Sequence, residues 1–124
     1  MKNPEKPPEK PKAGADAPSH ALRERYLGCL ERDAAEIKTL LTGLEEKTSS
    51  PADRRRLFAL VHGLAGTGGM VGFPQLSECA RKAQPHLEEF ATRAPDKAAL
   101  AKTRELTADL LRICDEICAK RERP

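Results

Sequence analysis

His62 opens a run of small residues, HGLAGTGGMVGF, in which glycine stands at 63, 66, 68, 69 and 72. Five of the chain's eight glycines therefore fall within ten residues. A neutral imidazole is a nucleophile near pH 7, and glycine or alanine beside it lets another molecule approach the ring closely. The run also invites a phosphate-loop reading, since LFALV over 57–61 passes for a strand and Gly63 to Gly68 has the G-x-x-x-x-G spacing. Gly69 and Met70 stand where that loop needs a lysine and a hydroxyl, so nothing would contact the terminal phosphates or Mg²⁺. A dinucleotide fingerprint fails as well, because Val71 occupies its third glycine position and no alternating strands follow. Inside a helix the five glycines would cost roughly 4 to 5 kcal/mol relative to alanine, so a helical His62 segment needs a compensating reason for them.

The other residues able to do chemistry are less organised. Cys114 and Cys118 lie one helical turn apart, a spacing that holds two metal ligands, but Cys29, Cys79 and His86 show no paired spacing to complete a site, and no metal is expected. A Cys/His nucleophile built on His62 or His86 lacks a recognisable elbow, oxyanion loop or third orienting group. His20 and His86 read as solvated helix-surface residues, and the four cysteines as small hydrophobes in a reducing compartment. The first eighteen residues hold no apolar targeting core, and no apolar run is long enough to span a bilayer, so the expectation is a cytoplasmic protein with no membrane partner. A formal net charge of +3 and only four aromatic residues (Tyr26, Phe58, Phe73, Phe90) argue against nucleic acid, for which neither a basic field nor stacking platforms exist.

The elements that must position His62 are helices. With Trp absent and few aromatics, the core has to be Leu, Ile, Val and Ala, and 124 residues suffice for one domain. Residues 1–18 carry five of the ten prolines in a tandem PEKP pattern and read as a disordered tail. Ser19 caps a first helix to about Glu46, with Tyr26, Leu30, Ala34, Ile37, Leu41 and Leu44 as its apolar stripe. Ser50-Pro51-Ala52-Asp53 is a capping box that starts the second helix, where Leu57, Val61, Leu64 and Gly68 face the core and Phe58 and Ala65 lie beside them. His62 falls on a flanking stripe with Arg55, Phe58, Ala59, Ala65, Gly66 and Gly69. Pro74 restarts the chain into a third helix that continues, bent, through Pro85, with Leu76, Ala80, Ala83, Leu87 and Phe90 inside. Pro95-Asp96 opens a fourth, carrying Ala99, Leu100, Thr103, Leu106, Leu110, Ile113 and Ile117 to about Lys120, and 121–124 form a short C-terminal tail. The fold class is all-α, an antiparallel four-helix bundle over 19–120.

The segment VHGLAGTGGMVGFPQL resembles the signature of the histidine phosphotransfer (HPt) domain family. That pattern is a histidine, then an apolar residue, two glycines, an aromatic and a leucine, and this chain supplies His62, Leu64, Gly66, Gly72, Phe73 and Leu76. Ala80 and Ala83 continue the family's small-residue spacing, and the likeness in helix order covers about 20–119. The resemblance implies an HPt-like bundle whose exposed His62 accepts a phosphoryl group from the aspartyl phosphate of one receiver domain and passes it to another. It implies as partners response-regulator receiver domains and hybrid histidine kinases, a monomeric carrier without a cofactor of its own, and Mg²⁺ on the receiver. The small residues Ala59, Ala65, Gly66 and Gly69 would then clear the approach, with Phe58 and Arg55 at its edge. No ATP-binding segment is legible, so donor and acceptor must come from partners. A helical adaptor that binds a receiver or kinase through the same face without carrying phosphate is the other reading. One position departs from the family: where many members carry lysine three residues after the histidine, this chain has Ala65. Arg55 is the candidate replacement on the same stripe, although seven residues put it about 10 Å along the axis, a distance suited to docking.

Overall fold

The computed structural model describes residues 19–93 and 96–120. The expectations for residues 1–18, Pro95 and 121–124 lie outside these. Four helices follow one another: α1 (His20–Glu45), α2 (Pro51–Thr67), α3 (Pro74–Thr92) and α4 (Lys97–Ala119). Among the described residues there is no strand.

Each start is set by local chemistry. The Ser19 hydroxyl accepts the Leu22 N–H at 3.1 Å, satisfying one of the orphan donors at the head of α1. At α2 the capping box is complete in both directions: the Asp53 N–H donates to Ser50 Oγ at 3.0 Å, and the Ser50 N–H to Asp53 Oδ2 at 3.3 Å. Helix α3 has no side-chain cap at Phe73 and begins on Pro74, whose missing N–H costs nothing there. Asp96 caps α4 by accepting the Ala99 N–H at 2.8 Å. Pro85 sits inside α3 without ending it.

Each helix packs against two others, α1 on α2 and α4, and α3 on α2 and α4, which closes a four-membered ring around one core. The cross-links show antiparallel neighbours. On the α1–α2 seam Tyr26 meets Thr67 near one end and Glu36 meets Arg56 farther along, while Glu45 at the end of α1 pairs with Arg104 near the start of α4. Leu30, Ile37, Val61, Leu76, Ala80, Ala83 and Leu110 are wholly buried. Burial of each larger aliphatic side chain contributes about 1.5 to 3 kcal/mol, more than the glycines withdraw.

The stripes differ from expectation in detail. Leu27 and Leu60 join the core, whereas Tyr26 and Leu41 are half-buried at its edge. In α4 the inward residues are Thr103, Thr107, Leu110, Ile113 and Cys114, with Ala99, Leu100, Leu106 and Ile117 partly covered. Thr107 serves inside because its hydroxyl turns back on the helix, donating to the Thr103 carbonyl at 2.7 Å, whereas the buried Thr103 hydroxyl has no hydrogen-bond partner among the described residues.

Helix α2 stops at Thr67, earlier than a run of helical glycines would suggest. Only Gly63 and Gly66 are inside it, so the helical glycine penalty is about 2 kcal/mol. Gly68, Gly69 and Gly72 belong to the turn before α3. A side chain at Gly68 would put a Cβ 3.0 Å from both the Leu64 carbonyl oxygen and the Ser77 nitrogen. Gly72 has φ 92°, in the left-handed region, and a Cβ there would lie 2.9 Å from Arg23 Nη1. That guanidinium donates to the Val71 carbonyl at 3.3 Å and lies over the Phe73 ring, 4.7 Å from its centroid. Tyr26 stacks on Phe73 at 6.1 Å, and its hydroxyl lies 3.3 Å from Thr67 Oγ1. The start of α1 thus holds the turn that follows the histidine helix.

Candidate functional site

His62 is exposed, within the stretch of α2 whose buried residues are Leu57, Leu60, Val61, Leu64 and Ala65. It lies about 100° around the helix from the fully buried Val61, on the side turned toward α3. Its ring stacks on Phe58 one turn earlier, with centroids 5.7 Å apart and planes at 27°. Phe58 is half-buried against the core, so it holds one face of the imidazole and leaves the edge open to solvent.

The small neighbours divide into distinct groups. Ala59, Gly63 and Gly66 are exposed beside His62. A Cβ built on Gly63 or Gly66 would meet nothing within 4 Å, so the fold places no demand for glycine at either position. Their smallness flattens the protein surface around the imidazole. Gly69 is exposed but sits in the turn past the end of α2, so it borders the face from beyond the helix and is not a member of the helical stripe. Ala65 is corrected more sharply: at 7% exposure it belongs to the core, and its carbonyl accepts the Ser77 hydroxyl at 2.6 Å. It clears nothing at the surface. Its small size lets α3 close against α2.

Of three consecutive arginines, two are committed to the fold. Arg54 donates through Nε to the Phe90 carbonyl at 2.8 Å, and Arg56 makes a two-pronged pair with Glu36 at 2.7 and 2.9 Å. Arg55 is exposed, two turns before His62, and among the described residues makes no hydrogen bond or ion pair.

The α3 wall of the groove was not apparent from sequence. Ser77, Arg81 and Gln84 follow one another at helical spacing beside α2. Ser77 is buried, and its hydroxyl, while donating to Ala65, accepts the Arg81 Nη2 donor at 3.0 Å. A serine and an arginine four apart are common on any helix, and only the α2–α3 register brings them against the Ala65 end of α2.

This surface is open. A cleft of about 480 Å³ lies elsewhere, its lining including Arg23, Leu27, Phe73, Ile113, Ile117 and Lys120, and none of the His62 groove residues lines it. Among the described residues no group of three or more His, Cys, Asp and Glu lies close enough to hold a metal ion. Cys29, Cys79, Cys114 and Cys118 form no disulfide, and burial pushes Cys114 up to about 12, so it is protonated and inert at neutral pH. No helix is long and apolar enough among the described residues to cross a membrane.

An accessible imidazole backed by a stacked ring, on a flat face of a helical bundle, can present a nucleophilic nitrogen to a macromolecular partner but cannot enclose a small substrate. Comparison with curated proteins and with solved structures gives no significant match. The family model described as Hpt domain matches residues 21–119, from the second residue of α1 to the last of α4, and the chain therefore belongs to the Hpt family of histidine phosphotransfer domains.

Proposed function

We propose that His62 is the phosphoryl carrier of this chain. Family membership gives the protein a phosphorelay role in histidine phosphotransfer, a process in which Hpt domains meet receiver domains and kinases. The observation that carries the assignment to this residue is the exposed His62 ring on Phe58, with open space around Gly63 and Gly66. In the forward step a ring-nitrogen lone pair attacks phosphorus of a receiver aspartyl phosphate. The N–P bond forms as the P–O bond breaks, and the aspartate leaves as carboxylate with the bonding pair. The reverse sequence on a second receiver returns the group. Positioning and charge neutralisation dominate such transfers, so the bundle needs no auxiliary base. It acts as a monomer without its own cofactor, and Mg²⁺ is supplied by the receiver. Arg55, with no partner among the described residues, adds positive potential at the docking edge with Phe58, Ala59, Gly66 and Gly69.

The test is to mix the protein with a phosphorylated receiver and look for acid-labile, base-stable phosphate. We expect label on the wild type and background on His62→Gln. Transfer that survives in His62→Gln overturns the assignment, and binding without transfer in the wild type leaves the adaptor reading in its place.

A further inference from the structure

The α2–α3 seam is pinned at two points: Arg54 to the Phe90 carbonyl, and Ser77 to the Ala65 carbonyl. Between these points α2 advances from 54 to 65 while α3 runs back from 90 to 77. Interpolating between the pins sets His62 level with Ala80 and Arg81. Ala80 is wholly buried, so the residue beside it, Arg81, is the one that stands on the outer edge of the seam at the height of His62. Both are exposed, and both lie about 100° around their helices from a wholly buried neighbour, Val61 and Ala80, on the sides turned toward each other. Packed helix axes stand about 8 to 10 Å apart, so an arginine from one reaches the surface of the other.

The Arg81 guanidinium is parked rather than committed. Its Nη2 donates to Ser77 Oγ, one turn toward the N-terminus of α3, and its remaining ion pair is to the exposed Glu78 at 3.7 Å, a contact of little strength. Ser77 is itself bonded to the carbonyl of Ala65, so the cation rests one hydrogen-bonded residue away from Ala65. The exposed charged groups nearest this face in the helical register are Arg55 on α2 and Glu78, Arg81 and Glu88 on α3, Lys82 being turned about a further 100° away from α2. Of these, Arg81 alone combines the level of His62 with a bonded route to residue 65.

Resting on the phosphocarrier reading of His62, we infer that Arg81 is the charge-compensating residue of the site. It turns from Ser77 to contact the phosphoryl group on His62, taking from α3 the place that Ala65 leaves without a cation on α2.

Phosphoramidate tests this without a protein donor, because the imidazole nitrogen displaces ammonia from phosphorus as the new N–P bond forms. The phosphorus NMR signal of phosphorylated His62, identified by its absence in His62→Gln, is followed against pH. A nearby cation favours the doubly ionised phosphoryl group. Arg81→Gln should therefore raise the midpoint of that last ionisation by about 0.5 pH unit, and Arg81→Lys should restore most of the difference. Equal midpoints in wild type and Arg81→Gln overturn the inference, as does a His62 that phosphoramidate does not modify. The carrier reading fails separately, by a wild type that takes phosphate from phosphoramidate and from no phosphorylated receiver.

Discussion

Gly66 and Gly68 stand two residues apart and have opposite relations to their surroundings. A methyl group at Gly66 meets open space inside a helix, whereas one at Gly68 is driven to 3.0 Å from two backbone atoms. Gly66→Ala should therefore raise stability by about 0.5 to 1 kcal/mol through helix propensity, while Gly68→Ala should lower it by about 1 to 3 kcal/mol through overpacking. Chemical denaturation checks both signs. If Gly66 serves partner approach, the stabilised variant should also bind a receiver less tightly, and unchanged affinity would remove it from the docking face. The sequence made His62 legible because a nucleophilic side chain among glycines is a local pattern. It misplaced Ala65, because a position about 60° around the helix from His62 is separated from it only by knowing how deeply α3 packs. Ser77 and Arg81 stayed hidden for a related reason: their roles depend on which residues of α2 they face, and no local spacing encodes that.

At the scale of elements, the helix starts were the most readable features, since Ser19, the Ser50–Asp53 box and Pro74 act within a few residues of themselves. The continuation of α3 through Pro85 was readable from its apolar period, because packing of Ala80, Ala83, Leu87 and Phe90 outweighs one lost backbone bond. The end of α2 was not, because helical glycine and turn glycine look alike until Gly72 is seen at positive φ. The α1–α2 seam carries a pH dependence of its own. Asp33 is half-buried there, and desolvation raises its pKa against the opposing pull of Arg56. The folded state then holds the Asp33 proton more tightly than the unfolded chain, so this group's contribution falls as pH rises through the interval between the two pKa values. Above that interval the ionised carboxylate is a net cost. Asp33→Asn should raise Tm by about 2 °C at pH 7, the difference vanishing at a pH below the unfolded value, where both side chains are neutral. Thermal melts at the two pH values decide it, and a lower Tm at pH 7 would mean that attraction to Arg56 outweighs burial.

For the whole molecule, the ring of four helices leaves one continuous core, and Cys114 reports on it. The thiol is wholly buried and raised to about 12, chiefly by desolvation, with Cys118 and then Asp115 adding to the shift. At pH 8 a thiol reagent should reach the half-buried Cys29 and Cys79 first, and label Cys114 only as fast as the bundle opens, at least tenfold more slowly. Equal rates at all three would mean that α4 detaches independently. The bonds that join Arg23 to the turn after α2 and Tyr26 to the last residue of α2 have a consequence for assembly. They fix the entry of the chain into α1 at the same end of the bundle at which α2 terminates, five residues beyond His62. The first turn of α1 is consequently held close to the end of the helix that carries His62. A partner that grips both the first turn of α1 and the His62 face would bind its second contact intramolecularly, at an effective concentration on the order of millimolar, and two weak contacts would add up to avidity.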